Sequence, residues 1–286
     1  MIKSRWLIVL FVAASLAGGL TFARRYYDER AGVPEWKPDK EFSKDVFTFV
    51  RIRYSSRYGG GGYGGGGYRR GRGRGYRGYG GGRWATDYPD SDLNFSYRLQ
   101  QLTSMEVDPN GVVLELTDER LFDYPFIYIV EPGDLAFSEE EVKILRRYLL
   151  NGGFLMVDDF WGEDEWYNFY YEIKRVFPDR EPIELPYEHP IFHCVFELKE
   201  RPQIPSIGQA IGGRGYGITW ERHDAREVHY KALYDDQGRI MAIICHNTDL
   251  GDGWEREGED EWYFREFSEK KAYPLGINIV FYAMTH

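Results

Sequence analysis

Two adjacent carboxylates, Asp158 and Asp159, close the apolar run Phe154–Val157 and are followed at once by Phe160 and Trp161. Neighbouring carboxylates raise each other's pKa or share a cation. The pair could therefore act as an acid–base group, a hydrogen-bonding anion or a hard-cation ligand. Side chains alternate along a strand, so one aspartate is expected to face a site and the other to cap a turn or helix. A second polar set, "CHNTDLGDGWE", ends another apolar run and carries Cys245, His246, Asn247, Asp249 and Asp252. Cys245 and His246 do not make a nucleophile–base pair, because adjacent strand residues point apart. The EF-hand pattern fails as well, since Asp252 stands at loop position six counted from Asn247, where glycine is required. A third set, "EHPIFHC", offers His189, His193 and Cys194. His189, His193, Cys245 and His246 form only a weak zinc set, with no signature spacing. The catalytic candidates are Asp158, Asp159, His189 and His246. The ligand-binding candidates are Trp84, Asp87, Asp158, Asp159, Trp161, His246, Asn247, Asp249 and Trp254, with the tryptophans offering stacking faces.

The elements that must position these groups follow from periodicity. "VFTFVRIRY", Val46–Tyr54, is rich in β-branched and aromatic residues and reads as the first strand. Further strands are expected at Val112–Leu116, Phe126–Val130, the run into Asp158, Val195–Leu198, Lys231–Tyr234 and Arg239–Cys245. Helices are expected after Asp90 or Ser91, with Phe95, Leu99 and Leu102 on one face, and over Glu163–Phe177. The clearest helix follows Ser138, whose spacing to Glu141 makes a capping box; Val142, Leu145, Tyr148 and Leu149 form its buried face. A mostly buried helix over Tyr273–Met284, with Pro274 near its first turn, ends the chain. Nearly continuous apolar strands alternating with helices imply an α/β fold with a mostly parallel sheet covered on both faces. In such sheets ligands sit beyond the strand carboxyl ends. That edge would gather Asp158, Asp159, the Cys245–Asp252 turn and the "GGRWATDYPDSD" segment, with Trp84 and Asp87.

Composition bounds what the site can serve. The chain has 286 residues, is 43% hydrophobic and 17% aromatic, and carries a net charge of −10. Arg57–Arg83 contains only Gly, Tyr and Arg; removing its seven positive charges leaves the remainder near −17. An acidic body repels nucleic-acid phosphates, so nucleic acid is disfavoured as a partner, with the arginine tract the one local exception. That tract has nothing apolar to bury and reads as a disordered insertion at 57–83. Residues 1–25, with Lys3 and Arg5 before an apolar run and Arg24–Arg25 after it, read as a signal peptide or signal anchor. Residues 26–45 read as a linker, and 46–286 as one domain. Cys194 and Cys245 lie in apolar runs and read as two buried free thiols. No G-x-S-x-G elbow, Walker loop, H-E-x-x-H or dinucleotide-binding glycine motif precedes a helix, and "GGRGYG", Gly212–Gly217, reads as a loop. No organic cofactor is called for, while a divalent cation is compatible with the acids.

The segments "RWATDYPDSDLNFSYRLQQLTS", "LTDERLFDYPFIYIVEPG", "LRRYLLNGGFLMVDDFWG", "LPYEHPIFHCVFELKERPQIPSI" and "ICHNTDLGDGWEREGEDEWYFREFSEKKAYPLGINIVFYAMTH" resemble the bacterial family catalogued as a domain of unknown function, DUF4159. The resemblance runs from Phe47 to His286. The family is similar in outline to the class I glutamine amidotransferase-like group, which implies a flavodoxin-like α/β sandwich. In amidotransferases the nucleophilic Cys follows a strand at a glycine-flanked elbow. Here the comparable strand bears Asp158 and Asp159, and Cys245 lacks flanking glycines, so Cys-dependent glutaminase chemistry is not expected. "EHPIF" resembles an element of the trehalose-utilisation-type domains, which implies that His189 lies at a site edge. The resemblance also implies partners among membrane-anchored proteins of a cell-envelope complex, with the domain held outside the cytoplasm. The leading expectation is a non-enzymatic domain that binds a polar ligand, a sugar or peptide, or a partner protein. The alternatives are a hydrolase using Asp and His with or without a metal, and a nucleic-acid or anionic-surface binder acting through Arg57–Arg83.

Overall fold

A computed structural model describes residue 30 and residues 32–39, 45–57 and 82–286. The expected signal or anchor at 1–25, half of the linker and nearly all of the Gly/Tyr/Arg tract lie outside the described residues. No helix among the described residues is long and apolar enough to cross a membrane. The few described residues before Lys37 belong to a separate unit, where the Val33 amide donates to the Arg30 carbonyl.

Among the described residues the main unit holds nine strands: β1 (Val50–Ile52), β2 (Ser55–Ser56), β3 (Val112–Leu114), β4 (Phe126–Val130), β5 (Leu135–Ala136), β6 (Phe154–Asp158), β7 (Ile183–Glu184), β8 (His229–Tyr234) and β9 (Ile240–His246). Seven form one sheet in the order β3-β1-β4-β6-β9-β8-β7, and β2 pairs with β5. The five strands β3, β1, β4, β6 and β9 run parallel. Counted in chain order, they lie as second, first, third, fourth, fifth. β8 and β9 make an antiparallel hairpin, and β7 pairs antiparallel with β8. The sheet is thus mostly parallel with an antiparallel margin. The turn "DDQG" at 235–238 is too short for the crossover that a parallel β8–β9 pair would need.

The helices are α1 (Asp90–Leu102), α2 (Glu139–Leu150), α3 (Gly162–Val176), α4 (Ile207–Gly213) and α5 (Leu250–Glu255). A last helical run is π-helical over Phe264–Ala272 and α-helical as α6 (Tyr273–Thr285). Helices α2 and α3 cover one face: Leu145, Leu149, Phe169 and Ile173 share a core with Ile127, Ile129, Leu155, Val157 and Ile244. On the other face Phe95 of α1 and Trp254 of α5 pack against Phe49 and Tyr128. The Ser138 capping box forms as its spacing predicts and contributes about 1 kcal/mol to α2.

Several expectations are corrected. The first strand is regular only over Val50–Ile52, although an isolated bridge pairs Phe47 with Val107. Val195–Leu198 is not a strand: the Val195 and Phe196 amides donate to the Asn278 side chain of α6, which replaces a ladder partner. Leu102 is exposed, because α1 ends there and its last turn clears the core. Both cysteines are free, but only Cys245 is buried; Cys194 is partly exposed.

Candidate functional site: a buried carboxylate rim

The carboxyl ends of β4, β6 and β9 are delivered to one edge by their parallel register, which aligns Val130 with Asp158 and Val157 with Ile244. Each apolar run ends in polar residues there. Four non-glycine residues among the described ones have positive φ: Asp87 (61°), Glu131 (46°), Asp159 (56°) and Asn247 (61°). Glu131, Asp159 and Asn247 each follow the end of one of these strands, and Asp87 lies on the segment that returns to the fold before α1. Left-handed backbone is unfavourable for residues with a Cβ and is found where the surroundings enforce it, often at functional sites.

Asp158, fully buried, ends β6. Its Oδ2 accepts the Tyr128 hydroxyl at 3.0 Å and the amides of Leu250 and Gly251 at 2.9 and 3.1 Å, so it caps the start of α5 from across the sheet. Burial pushes this carboxyl up to about 7, and the Tyr128 and amide hydrogen bonds hold it from rising further. Asp159 turns away on its left-handed backbone and accepts the Trp161 indole N–H at 3.1 Å. Its pKa lies well above the usual carboxylate range through burial and then the charges of Glu131 and Asp87. Asp249 accepts the Asp252 amide at 2.7 Å and is also pushed well up, by burial and then by Asp159 and Asp252. Burial and the Asp252 charge push Asp87 up to about 7. Glu255 is raised by burial and by Asp87.

Charge compensation is confined to the flanks. Arg83 lies 3.6 Å from Glu131, 3.6 Å from Asp134 and 3.2 Å from Glu165, and Arg222 lies 2.6 Å from Glu165. Arg256 takes Asp252 at 3.0 Å and Glu255 at 2.7 Å. Among the described residues, no lysine or arginine pairs with Asp87, Asp158, Asp159 or Asp249. Several like charges share a volume with little water and no equal complement of cations. The low dielectric that makes this costly would reward a cation or a hydrogen-bond donor placed there.

The remaining candidates separate from this rim. His246 pairs with His229 across the β9–β8 ladder, one residue beyond the Cys245–Tyr230 pair, and so faces the other side of the sheet from Cys245. It lies among Phe160, Trp166 and His229, and its Nε2 lies 3.1 Å from the Gly162 carbonyl oxygen. Burial depresses its pKa to about 4. Asn247 is spent on structure: its side chain accepts the Gly162 amide and donates to the Glu227 carbonyl. Trp254 is fully buried against Phe95, with ring centroids 4.4 Å apart, and presents no face to a ligand. Trp84 and Trp161 are almost covered. His193 bonds the Tyr187 carbonyl and Glu197, and His189 caps the turn at Ile191 beside Tyr282. His189, His193, Cys245 and His246 do not gather. The one group among the described residues with metal-binding spacing is Asp87, Asp249 and Asp252. Burial holds the Cys245 thiol well above its ordinary pKa, with the Asp158 charge adding to it, the opposite of an activated nucleophile.

Sequence reasoning passed over Glu131, Tyr128 and Arg83. The signal for Glu131 was present, because it ends Phe126–Val130 as Asp158 ends Phe154–Val157. Tyr128 and Arg83 carry no such mark, since only packing turns the Tyr128 hydroxyl to Asp158. Comparison with known proteins matches the family model described as "Domain of unknown function (DUF4159)" to residues 75–284. The chain belongs to that family. No curated protein matches the chain.

Proposed function

We propose that this DUF4159 domain is a binding domain, and that the carboxylate rim at the strand ends receives a polar ligand rich in hydrogen-bond donors, a sugar or a peptide. The observation that carries the reading is the strained rim itself: Asp87, Glu131 and Asp159 hold left-handed backbone at this edge, and among the described residues Glu131 is paired with Arg83 while no lysine or arginine pairs with Asp87 or Asp159. Such a cost, of order 1–3 kcal/mol at each position, persists where the geometry is used. The strand order second-first-third-fourth-fifth supports a flavodoxin-like, amidotransferase-like scaffold, in which ligands bind where the order reverses. Here that point lies between β1 and β4, beside Glu131 and Asp87. Asp159 occupies the strand-to-helix turn where amidotransferases carry their cysteine. A carboxyl that burial drives towards its neutral form acts more readily as a hydrogen-bond donor and acceptor than as a nucleophile. His246 faces the other side of the sheet from Cys245 and Asp158, with its Nε2 on the Gly162 carbonyl, and so is no base for Asp158. These features favour binding over hydrolysis and over glutaminase chemistry. The expected setting is the cell envelope, with the domain outside the cytoplasm.

The test is calorimetric titration of the full chain with glucosamine and N-acetylglucosamine oligomers and with short glycine–lysine peptides, with and without divalent cations. Saturable binding by one class, lost in Asp159→Asn and weakened at least tenfold in Trp161→Phe, is expected. Absence of binding by every probe at 10 mM would overturn the reading, as would a glutaminase activity abolished by thiol alkylation.

A further inference from the structure

We infer that Asp87, Asp249 and Asp252 form a site for one hard divalent cation of the Mg2+, Ca2+ and Mn2+ class. This deepens the proposed function and rests on that reading of the rim as a binding site. One carboxylate oxygen from each residue lies within 4.8 Å of the others, about the separation that two oxygens on opposite sides of one such ion have when each lies at roughly 2.0–2.6 Å. A cluster of acids alone would not suffice, because exposed acids gather without ions. Here Asp249 and Asp252 are buried and Asp87 is partly so. Asp87 Oδ2 is itself covered and meets no amide, hydroxyl or cation, its side-chain partner being another acid, Glu255, and Oδ1 of the fully buried Asp158 has no hydrogen-bond partner. A buried carboxylate oxygen without a donor costs free energy that a bound cation would recover.

Gly251 marks the point of convergence. A Cβ added there would stand 2.7 Å from Asp87 Oδ2, 3.2 Å from the Tyr128 hydroxyl oxygen and 3.5 Å from Asp249 Oδ1. Its amide donates to Asp158 Oδ2 at 3.1 Å. Four oxygen-bearing side chains thus crowd one backbone position that tolerates no side chain. The remaining bonds orient the ligands. Asp249 Oδ1 accepts the Asp252 amide, Asp252 Oδ1 accepts Arg256 Nε, and its Oδ2 accepts the Ile207 amide. Each carboxylate oxygen has a second lone pair. Arg256 supplies one positive charge, shared with Glu255 and Glu259, so a divalent ion would not overcompensate the site. The all-oxygen donor set, without imidazole or thiolate, selects hard cations over zinc or copper.

The test uses the full chain stripped with EDTA, dialysed and titrated separately with MgCl2, CaCl2 and MnCl2, with bound ion counted by mass spectrometry. One ion per chain, a dissociation constant below 1 mM for at least one of the three and a rise in the thermal midpoint are expected. Asp87→Asn should weaken binding at least tenfold while leaving the midpoint in EDTA unchanged or higher. Asp249→Ala would remove a helix cap and destabilise the chain, so Gly251→Ala, which fills the convergence point, serves as the second variant and should also weaken binding tenfold. Asp236→Asn, at an exposed turn, should change nothing. No bound ion at 10 mM, or binding unaffected by both Asp87→Asn and Gly251→Ala, would overturn the inference. Sugar or peptide binding that survives in EDTA with no ion bound would overturn the cation site and leave the wider reading standing. Ion binding without any organic ligand would do the reverse.

Discussion

Two buried charged regions lie within one loop of each other and obey opposite rules. Arg51, on β1, is fully buried, yet every part of its guanidinium is engaged. It takes Asp92 through Nε and at 2.5 Å through Nη2, donates to Ser91, and donates to the carbonyls of Trp84 and Thr86. In the rim Asp158, Asp159 and Asp249 are buried and Asp87 partly so, and they have no such cation. A buried charge with a full set of partners holds structure together; a group of buried acids without a paired cation leaves a place for one. The first region also serves the second, because the two carbonyls that Arg51 holds belong to the segment that carries Asp87 into the rim.

The largest effect should come from breaking the compensated pair. Arg51→Met leaves Asp92 buried without its cation and frees two loop carbonyls, at a cost of about 3–5 kcal/mol. Urea denaturation checks this. A loss under 1 kcal/mol would show that the two regions do not differ as described.

The uncompensated region should behave in the opposite way. Asp158 has its folded pKa raised to about 7, above an unfolded value near 3.8. The folded state therefore binds more protons between these values, and in EDTA this contribution is present below the unfolded pKa and lost as pH rises through about 7. Asp158→Asn should match the wild type near pH 4 and be more stable at pH 8, by on the order of 4 kcal/mol at most. A gap that fails to widen with pH would remove the argument that the rim is short of cations.

His246 sharpens the comparison from the other face of the sheet. Its folded pKa, about 4, lies below the unfolded value of 6.5. Its contribution is present above about 6.5 and lost as pH falls through about 4, the reverse of Asp158. Relative to His246→Phe, the wild type should lose on the order of 3 kcal/mol or less between pH 7 and pH 4, measured by the same denaturation. A parallel loss in both proteins would assign the acid sensitivity elsewhere.

Much of the architecture was legible because it follows from local rules. The capping box at Ser138 and Glu141 and the apolar runs of β4, β6 and β9 all depend on neighbours within a few residues, whereas Pro274, expected near a helix start, lies inside a helical run that begins at Glu261. The aspartates at the strand ends were legible for the same reason, since the change from apolar to acidic residues marks where the apolar core ends, although Asp158 itself stays buried. The failures have a common cause. Val195–Leu198 has strand-like residues, but Asn278 of α6, distant in sequence, takes its amides. Trp254 looked like a stacking face and became core, because Phe95, Phe49 and Tyr128 close over it. His246 was grouped with the acids by proximity in sequence, and strand alternation placed it on the face opposite Cys245 and Asp158.

By itself the sequence determined the kinds of element, their order, the acidic character of the body and the polar tips of three strands, since hydrophobic periodicity and turn chemistry act over short range. Only the tertiary structure decided which tips share a space. It brought Asp87 from a returning loop beside Asp249 and Asp252, turned Tyr128 to Asp158, and gave Arg51 to Asp92 rather than to the rim. Those are contacts between residues tens to more than a hundred positions apart, set by sheet order and register, and no local pattern encodes them.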